Sequence, residues 1–576
     1  MAVHNGEVAA IFEEMADLLE IDGANPFRVR AYRFAARTVR DLTREVAEMV
    51  ARGEDLTNLP GIGEDLAGKI LEIVRTGTLA ALETQRSKTP ATLTELLRIP
   101  GLGPKRVQSL IQALNLRGLS DLQQAALEKR IRTLPGFGEK TEQHILEALS
   151  ARTGKESRLQ LAVATPYAEA FVAYLRQCPG VGRVVVAGSY RRGRETIGDL
   201  DILVTGHAGR AISDRFVRYP EVREVLAQGE TKASVRLQNH LQVDLRVVPD
   251  ESYGAALLYF TGGKDHNVVL RQLAQERGLK LNEYGVFRGT VRLAGDTEES
   301  VYAAVGLPWI PPELRENRGE IEAAQEGRLP KLVEVQDLVG DLHAHTTATD
   351  GRHSLSEMAD AARRRGLRYL AITDHSRRLA MAKGLTATRL SAQMDEIDRL
   401  NKDFTDIRLL KGIEVDILED GALDLPDDVL GRLDLVVGAV HSRFNLSKQK
   451  QTDRILNAMD HPHFSILAHP SGRLIGRREP YDVDMSRIIR KARERGCFLE
   501  VNAHPERLDL TDIHCQMARE EGVLLAVNSD AHSTADLDDR RYGVGQARRG
   551  WLQKADVLNA RSYAEVTRLL RRTMEP

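Results

Sequence analysis

Seven continuous apolar runs between residues 337 and 576 end in histidine, acid or amide: "LVGDLHAH", "LRYLAITDH", "IRLLKGIEVD", "LDLVVGAVHS", "FSILAHPSG", "CFLEVNAHP" and "VLLAVNSDAH". Helical segments separate several of them. A strand that reads apolar on both faces must be covered on both faces, and strands alternating with helices give a parallel sheet. Polar residues gathered at the C-terminal ends of such strands are where a closed α/β barrel builds its active site. This pattern predicts a barrel over 337–576, with its chemistry at one end.

Histidine is unevenly spent: 11 of the 16 in the chain fall in this region. The strand ends supply His343, His345 and Asp350, then His375, Glu414, His441 and His469, and finally Asp530 and His532. Nine imidazole and carboxylate ligands, at three protein ligands per ion, suit up to three cations such as Mn²⁺ or Zn²⁺ with positions left open for water and phosphate oxygens. His353, His461, His463, His504 and His514 fall off this pattern and read as surface or loop histidines.

A second constellation lies upstream. Strand-like runs appear at 183–188, 199–206, 233–238 and 241–249. In "AGSYRRGRETIGDLDIL" Asp199 and Asp201 share one face of a strand by its period of two, and Asp244 offers a third acid on another strand. Three convergent carboxylates can hold two Mg²⁺ or Mn²⁺ ions, the arrangement that activates a hydroxyl and neutralises a leaving pyrophosphate. Gly188 and Ser189 offer backbone N–H groups and a hydroxyl to a triphosphate, and Arg192 adds charge. A D-x-D pair alone would be an ordinary exposed strand. The Gly-Ser turn ten residues upstream and the third acid make the metal reading specific.

Residues 1–150 read as helical and repeat one element three times, in "LPGIGEDLAGKI", "IPGLGPKRVQSL" and "LPGFGEKTEQHI". Each is a glycine turn followed by a helix N-terminus, which binds phosphate without a basic side chain. Gly61, Gly63, Gly101, Gly103, Gly136 and Gly138 are the candidate phosphate-contacting positions. The segment holds 19 Lys and Arg against 21 Asp and Glu, so bulk positive charge is not the device. Arg30, Arg33, Arg37, Arg40 and Arg44 nevertheless line one helix face, either as a solvated face or as a phosphate-tracking stripe.

These motifs carry resemblances. The three turns resemble the helix-hairpin-helix motif. The Gly-Ser and D-x-D constellation resembles the nucleotidyltransferases, and "LLYFTGGKDHN" with "LNEYGVF" resembles the nucleotide-binding segment of the family X DNA polymerases. That resemblance covers about residues 1–320. It implies Asp199, Asp201 and Asp244 as catalytic metal ligands, and Gly188, Ser189, Arg192 and Gly193 at the triphosphate. It also implies Tyr259, Phe260 and Gly262 along the sugar, where the two aromatics could equally be core residues, and Asn267 at the minor-groove edge. Lys69 and Tyr32 match a Schiff-base lyase of the same family. Asp65, however, stands where the family has a phosphate-binding lysine, and a carboxylate there repels a 5′-phosphate. Lys69 is thus either a lyase nucleophile or a surface lysine. The nine barrel ligands resemble the PHP (polymerase and histidinol phosphatase) phosphoesterases in order and spacing, with Thr349 where serine is common.

The expected chain is multidomain. A helical lyase-like domain over 1–80 and a second helix-hairpin-helix domain over 81–152 precede an α+β nucleotidyltransferase palm at 153–250. A nucleotide-selecting domain at 251–315 and a Pro- and charge-rich linker at 316–336 lead to a distorted TIM-like PHP barrel at 337–576. The resemblance implies a gap-filling DNA polymerase for repair with a metal-dependent 3′–5′ exonuclease in the barrel, with AP-endonuclease or 3′-phosphatase activity as further options there. The alternative is a DNA end-binding protein with a weak polymerase and a phosphate monoesterase. Expected partners are gapped or primer-template DNA and deoxynucleoside triphosphates. No apolar run approaches the ~18 residues of a membrane span, and no signal peptide is expected. Cys178, Cys497 and Cys515 are too few and too scattered for a disulfide framework. A monomer in the bacterial cytoplasm, associated with the nucleoid, is expected.

Overall fold

The apolar runs of the C-terminal region become short parallel strands. In the computed structural model, Gly340–Asp341, Tyr369–Ile372 and Arg408–Lys411 pair in that order. Glu414–Asp416, Val437–Ala439, Ile466–Leu467, Phe498–Asn502 and Leu525–Asn528 form a second parallel set. A bridge between His375 and Glu414 joins the sets, and one between Ala344 and Ala531 joins the first strand end to the last, so the ring closes. The run "IRLLKGIEVD" holds two strands, broken at Gly412. A side chain at Gly412 would press on Thr373 Cγ2 at 2.8 Å, so the chain passes close to its neighbour there. Helices such as Leu355–Arg364, Met485–Arg495 and Arg540–Arg549 cover the outside. The first starts at a capping box between Ser354 and Glu357.

The model describes residues 158–574 throughout and, before them, 5–40, 42, 44–88, 96, 99, 102, 104–114, 116, 118–139, 141–143, 145 and 146. It divides into two compact units, Met1–Ser157 and Arg158–Pro576. In the first, Asn5–Ile21 and Pro26–Arg40 pack through Phe12, Tyr32, Ala36 and Val39. Gly61 and Gly136 take left-handed backbone (φ +71° and +82°), as the predicted turns require. Gly63 caps the helix Glu64–Thr76. Gly101 and Gly103 lie outside the described residues.

In the second unit the palm is a mixed five-stranded sheet, ordered Val181–Val186, Asp199–Gly206, Gln242–Val248, Lys232–Leu237 and Val222–Gln228. The last of these was not expected from the sequence. It is an edge strand, exposed along almost its whole length, and its pairing is twice irregular. The thumb-like region that follows stacks the helices Tyr253–Thr261 and Lys264–Glu276 with a three-stranded sheet and the helix Glu298–Ala304.

The stretch 316–336, expected as a linker, is built into this core. Glu320–Gln325 is a helix whose Ile321, Ala323 and Ala324 are buried with Leu258, Leu270, Tyr302 and Leu332. Trp551, from the barrel region, joins the same cluster. Charge at this stretch is used inward: the buried Glu320 is paired with His266, and Arg315, just before it, is fully buried on Glu298.

Candidate functional sites

The palm strands Asp199–Gly206 and Gln242–Val248 run parallel, with Asp201 opposite Asp244 and Asp199 opposite Gln242. The register therefore brings the three predicted acids to one end of adjacent strands. Burial, and then the charges of Asp199 and Asp244, push Asp201 up to about 7. Asp199 is raised by burial and by Asp244. Carboxylates crowded together at the expense of their own ionisation are what a divalent cation relieves. Ser234 and Gln242 donate to the two oxygens of Asp244 and orient it.

Gly188 follows at the end of Val181–Val186 with φ +60°, pressed against Asp201. A Cβ there would overlap Oδ2 and lie 3.3 Å from Cγ. The hydroxyl of Ser189 is buried with no hydrogen-bond partner, as a donor kept for a ligand would be. Arg192 donates through Nη1 to the Thr261 carbonyl (2.6 Å) and through Nε to Glu316 (3.1 Å). Gly193 also has a positive φ, +63°. Arg191 is turned away to Thr261 and Glu298. Tyr259 is partly exposed and meets Phe260 edge to face at 5.1 Å. The Asn267 amide donates to the Tyr259 carbonyl (2.8 Å) and packs against Gly262.

The barrel brings all nine predicted ligands to the C-terminal strand ends. Glu414 is the hub. Its Oε1 lies 2.9 Å from His469 Nε2 and 3.2 Å from His441 Nε2. Its Oε2 lies 2.8 Å from His375 Nδ1, 3.4 Å from His343 Nε2 and 3.5 Å from His345 Nε2. Among the described residues, three overlapping groups could each close on one ion: His345, Asp350, His375 and His532; His343, His345 and Asp530; and His375, Glu414 and His441. Sharing of His345 and His375 between groups was not foreseen at three separate ligands per ion.

The electrostatics follow from this packing. Burial works against the charge on Glu414, yet His375, His441 and His343 hold it far below the usual carboxylate range. His375 rises to about 10 through Glu414 and Asp350, against burial. Burial opposes a charge on His532 as well, but Asp350 and Asp530 raise it to about 9. His345, buried between His532 and His375, falls to about 3. Protons here stand where cations would serve the same carboxylates. The test of fit lies in atoms left over: His345 Nδ1 and His469 Nδ1 are buried without hydrogen-bond partners. Two ligands, His469 and Asp530, also sit at positive φ (+29° and +55°), strain of the kind concentrated at functional sites.

Sequence reasoning missed the groups that hold the ligands. The buried Glu500 accepts from His343 Nδ1 (2.7 Å) and from the backbone N–H of His469 (2.8 Å). Asp416 holds His441 Nδ1 at 3.0 Å. Asp374 accepts from Thr346, Thr349 and Gln393. Asp374 stands beside His375 and Asp416 two residues after Glu414 in their apolar runs, and an acid there was a usable signal; Glu500 has no predicted ligand near it in sequence. Arg507 reaches Asp530 at 3.5 Å. The five remaining histidines do other work: His353 accepts from Thr534, His461 pairs with Asp427, and His463 meets the Met574 carbonyl. His504 takes the Glu506 N–H, and His514 bonds Thr511.

In the first unit Lys69 is paired with Asp65 and lies 5.7 Å from the centre of the Tyr32 ring. Arg33 is paired with Asp17 and Glu20, Arg40 with Glu13 and Arg44 with Glu54, while Arg30 stacks on the exposed Phe27. Arg37 is exposed on the same helix. Much of the stripe's charge is thus answered within the unit.

Comparison with known families matches each layer. Models for the helix-hairpin-helix domain match residues 3–79, and for the SAM-like helix-hairpin-helix tandem 53–117 and 93–151. The DNA polymerase beta palm model matches 168–257, its thumb 256–316 and the PHP domain 341–504. The DNA polymerase/3′-5′ exonuclease PolX of Bacillus subtilis is 40% identical over 99% of this chain and 100% of its own length. DNA polymerase lambda of Rattus norvegicus is 25% identical over 54% of this chain and 56% of its own. A probable phosphatase of Thermoanaerobacter is 31% identical over 35% of this chain and 81% of its own. Among the described residues no helix is long and apolar enough to cross a membrane.

Proposed function

The chain belongs to the bacterial-type family X DNA polymerases that carry a PHP domain, and from that membership we propose that it fills gaps in DNA during repair and trims 3′ ends in its barrel. The observation that carries the first activity is the Asp201–Asp244 register beside Asp199, with Gly188 and Ser189 packed against it. Two divalent cations, Mg²⁺ or Mn²⁺, would be held by these three acids and would supply charge neutralisation at the reacting phosphate. Ser189 and the Gly188 turn bind and orient the triphosphate, and Arg192 offers it a charged donor. Tyr259, Phe260 and Gly262 bound the sugar, and Asn267 fixes that segment through the Tyr259 carbonyl. The helix-hairpin-helix turns at Gly61, Gly63, Gly101, Gly103, Gly136 and Gly138 hold the DNA backbone, with Arg30 and Arg37 as adjacent cations.

For the second activity the nine candidate ligands centred on Glu414 would hold up to three Mn²⁺ or Zn²⁺ ions, which would supply polarisation of a phosphodiester. Glu500 and Asp416 orient His343 and His441, and Arg507 sets a fixed positive charge beside the cluster. A monoesterase reading of this site is favoured by its likeness to the probable phosphatase. Lyase chemistry at Lys69 would require that the amine leave Asp65. The three cysteines are free and buried, as in a protein of a reducing cytoplasm.

The deciding assay uses labelled gapped DNA with Mn²⁺ or Mg²⁺. Asp199→Ala with Asp201→Ala should abolish extension and leave 3′ degradation, and His343→Ala with His345→Ala should do the reverse. Degradation that survives the histidine changes would remove the barrel assignment. Release of phosphate from a strand of unchanged length would identify a monoesterase.

A further inference from the structure

Arg192, the cation read above as a triphosphate donor, is already engaged. Its Nε donates to Glu316 Oε1 at 3.1 Å. The same oxygen accepts from Arg549 Nη1 at 3.0 Å, and Arg194 lies 3.6 Å from the other oxygen. Arg549 belongs to the barrel helix Arg540–Arg549, and its side chain is 1% exposed. Its Nη1 also donates to the backbone carbonyl of Arg192 at 3.1 Å, and its Nη2 to Asp512 at 2.6 Å. Asp512 accepts in turn from Arg318. Palm loop, thumb and barrel are therefore joined by alternating charges in the order Arg192, Glu316, Arg549, Asp512, Arg318. The far end of the loop is held as well: Glu195 accepts from Arg473 (2.7 and 3.0 Å) and Gln546 (2.9 Å), both in the barrel.

A triphosphate that draws the whole Arg192 guanidinium to itself takes its Nε from Glu316 and its Nη1 from the Thr261 carbonyl. The carboxylate left behind stays buried and needs other cations to keep its charge. We propose that Arg549 is a positioning residue for the incoming nucleoside triphosphate, holding the Arg192 backbone and accepting Glu316 when Arg192 turns to the phosphates. The barrel thereby sets the nucleotide affinity of the polymerase site. Glu316 fits the part: although burial opposes its charge, Arg549, Arg192 and Arg194 hold it down, at about 2, so it remains an anion throughout. The inference rests on the reading of Arg192 as a triphosphate ligand.

The two partners should then act with opposite sign. Arg549→Met leaves Glu316 to Arg192 and Arg194 and leaves Asp512 to Arg318, so each carboxylate keeps a cation. It should raise the KM for deoxynucleotide on single-nucleotide-gapped DNA by about ten-fold, the factor lost with one charge-assisted hydrogen bond, at near-unchanged kcat. Glu316→Gln removes the competitor and should lower KM several-fold, and it reports on the same exchange if the first variant folds poorly. A network that merely staples the domains would weaken both variants alike and would depress kcat with the melting temperature. Shifts of KM in the same direction, or an Arg549→Met value within two-fold of wild type, overturn the inference. Arg192→Ala separates the two levels: a normal KM there removes the triphosphate reading and this inference with it. A raised KM there beside a normal Arg549→Met value removes this inference alone.

Discussion

Gly188→Ala tests whether the polymerase site depends on backbone that only glycine can supply. The residue sits at φ +60°, where a β-carbon costs roughly 1–2 kcal/mol. That cost by itself would lower the melting temperature by only a few degrees. The larger effect is local. The new methyl would overlap Oδ2 of Asp201 and lie 3.3 Å from its Cγ, so the carboxylate must withdraw. A shift on the order of 1 Å in a group that positions the reacting atoms costs about 100-fold in rate. Single-nucleotide gap filling at saturating deoxynucleotide should therefore slow about 100-fold, while 3′ degradation of the same DNA continues, because no barrel ligand touches this loop. Calorimetry on the same preparation separates the two effects. Extension within three-fold of wild type would refute the argument that Asp201 must stand where it does. Equal loss of degradation would mean that the change acts by unfolding.

Three other outcomes follow from particular contacts. Glu414→Gln removes the carboxylate shared by five imidazoles, so metal per chain by plasma mass spectrometry should fall by at least one ion and 3′ degradation should be lost, with gap filling intact. Glu298 is buried, which disfavours its charge, but Arg191 and Arg315 hold it down to about 2 from 4.5. A depressed carboxylate contributes fully above 4.5 and loses its contribution as pH falls toward 2, a difference of about 3 kcal/mol. Urea unfolding at pH 6 and pH 3 should show a loss about 2 kcal/mol larger in the wild type than in Glu298→Gln, the part of the contribution gone by pH 3. In Gly254→Ala a Cβ would overlap the Thr297 backbone, and overpacking of that kind costs roughly 1–3 kcal/mol, read as a lower melting temperature.

The barrel and the gathering of nine candidate ligands were legible because strand ends carry chemistry in a fixed relation to an apolar run. The palm acids were legible because a period of two survives any tertiary context. What could not be read depends on partners distant in sequence. Arg315 and Glu320 looked like surface charge, and only their pairing with Glu298 and His266 explains their burial. Glu500 was passed over because no predicted ligand lies near it in sequence, and only the fold brings His343 to it. The edge strand Val222–Gln228 lacks the apolar alternation of a half-buried strand, since almost all of it faces solvent. Helix-face spacing found the arginine stripe but could not show that Asp17, Glu20, Glu13 and Glu54 neutralise much of it.

Trp551 lies among the thumb side chains, beside Ile321 and Leu332. The order of matches along the chain suggests a polymerase with a nuclease appended, and a cut near residue 336 would seem to release each. That cut would instead take an indole from the thumb and open its apolar floor to water. The two activities are therefore not interchangeable cassettes. A polymerase half expressed by itself should be prone to self-association, and lineages that discard the nuclease would need a new residue to fill the hole.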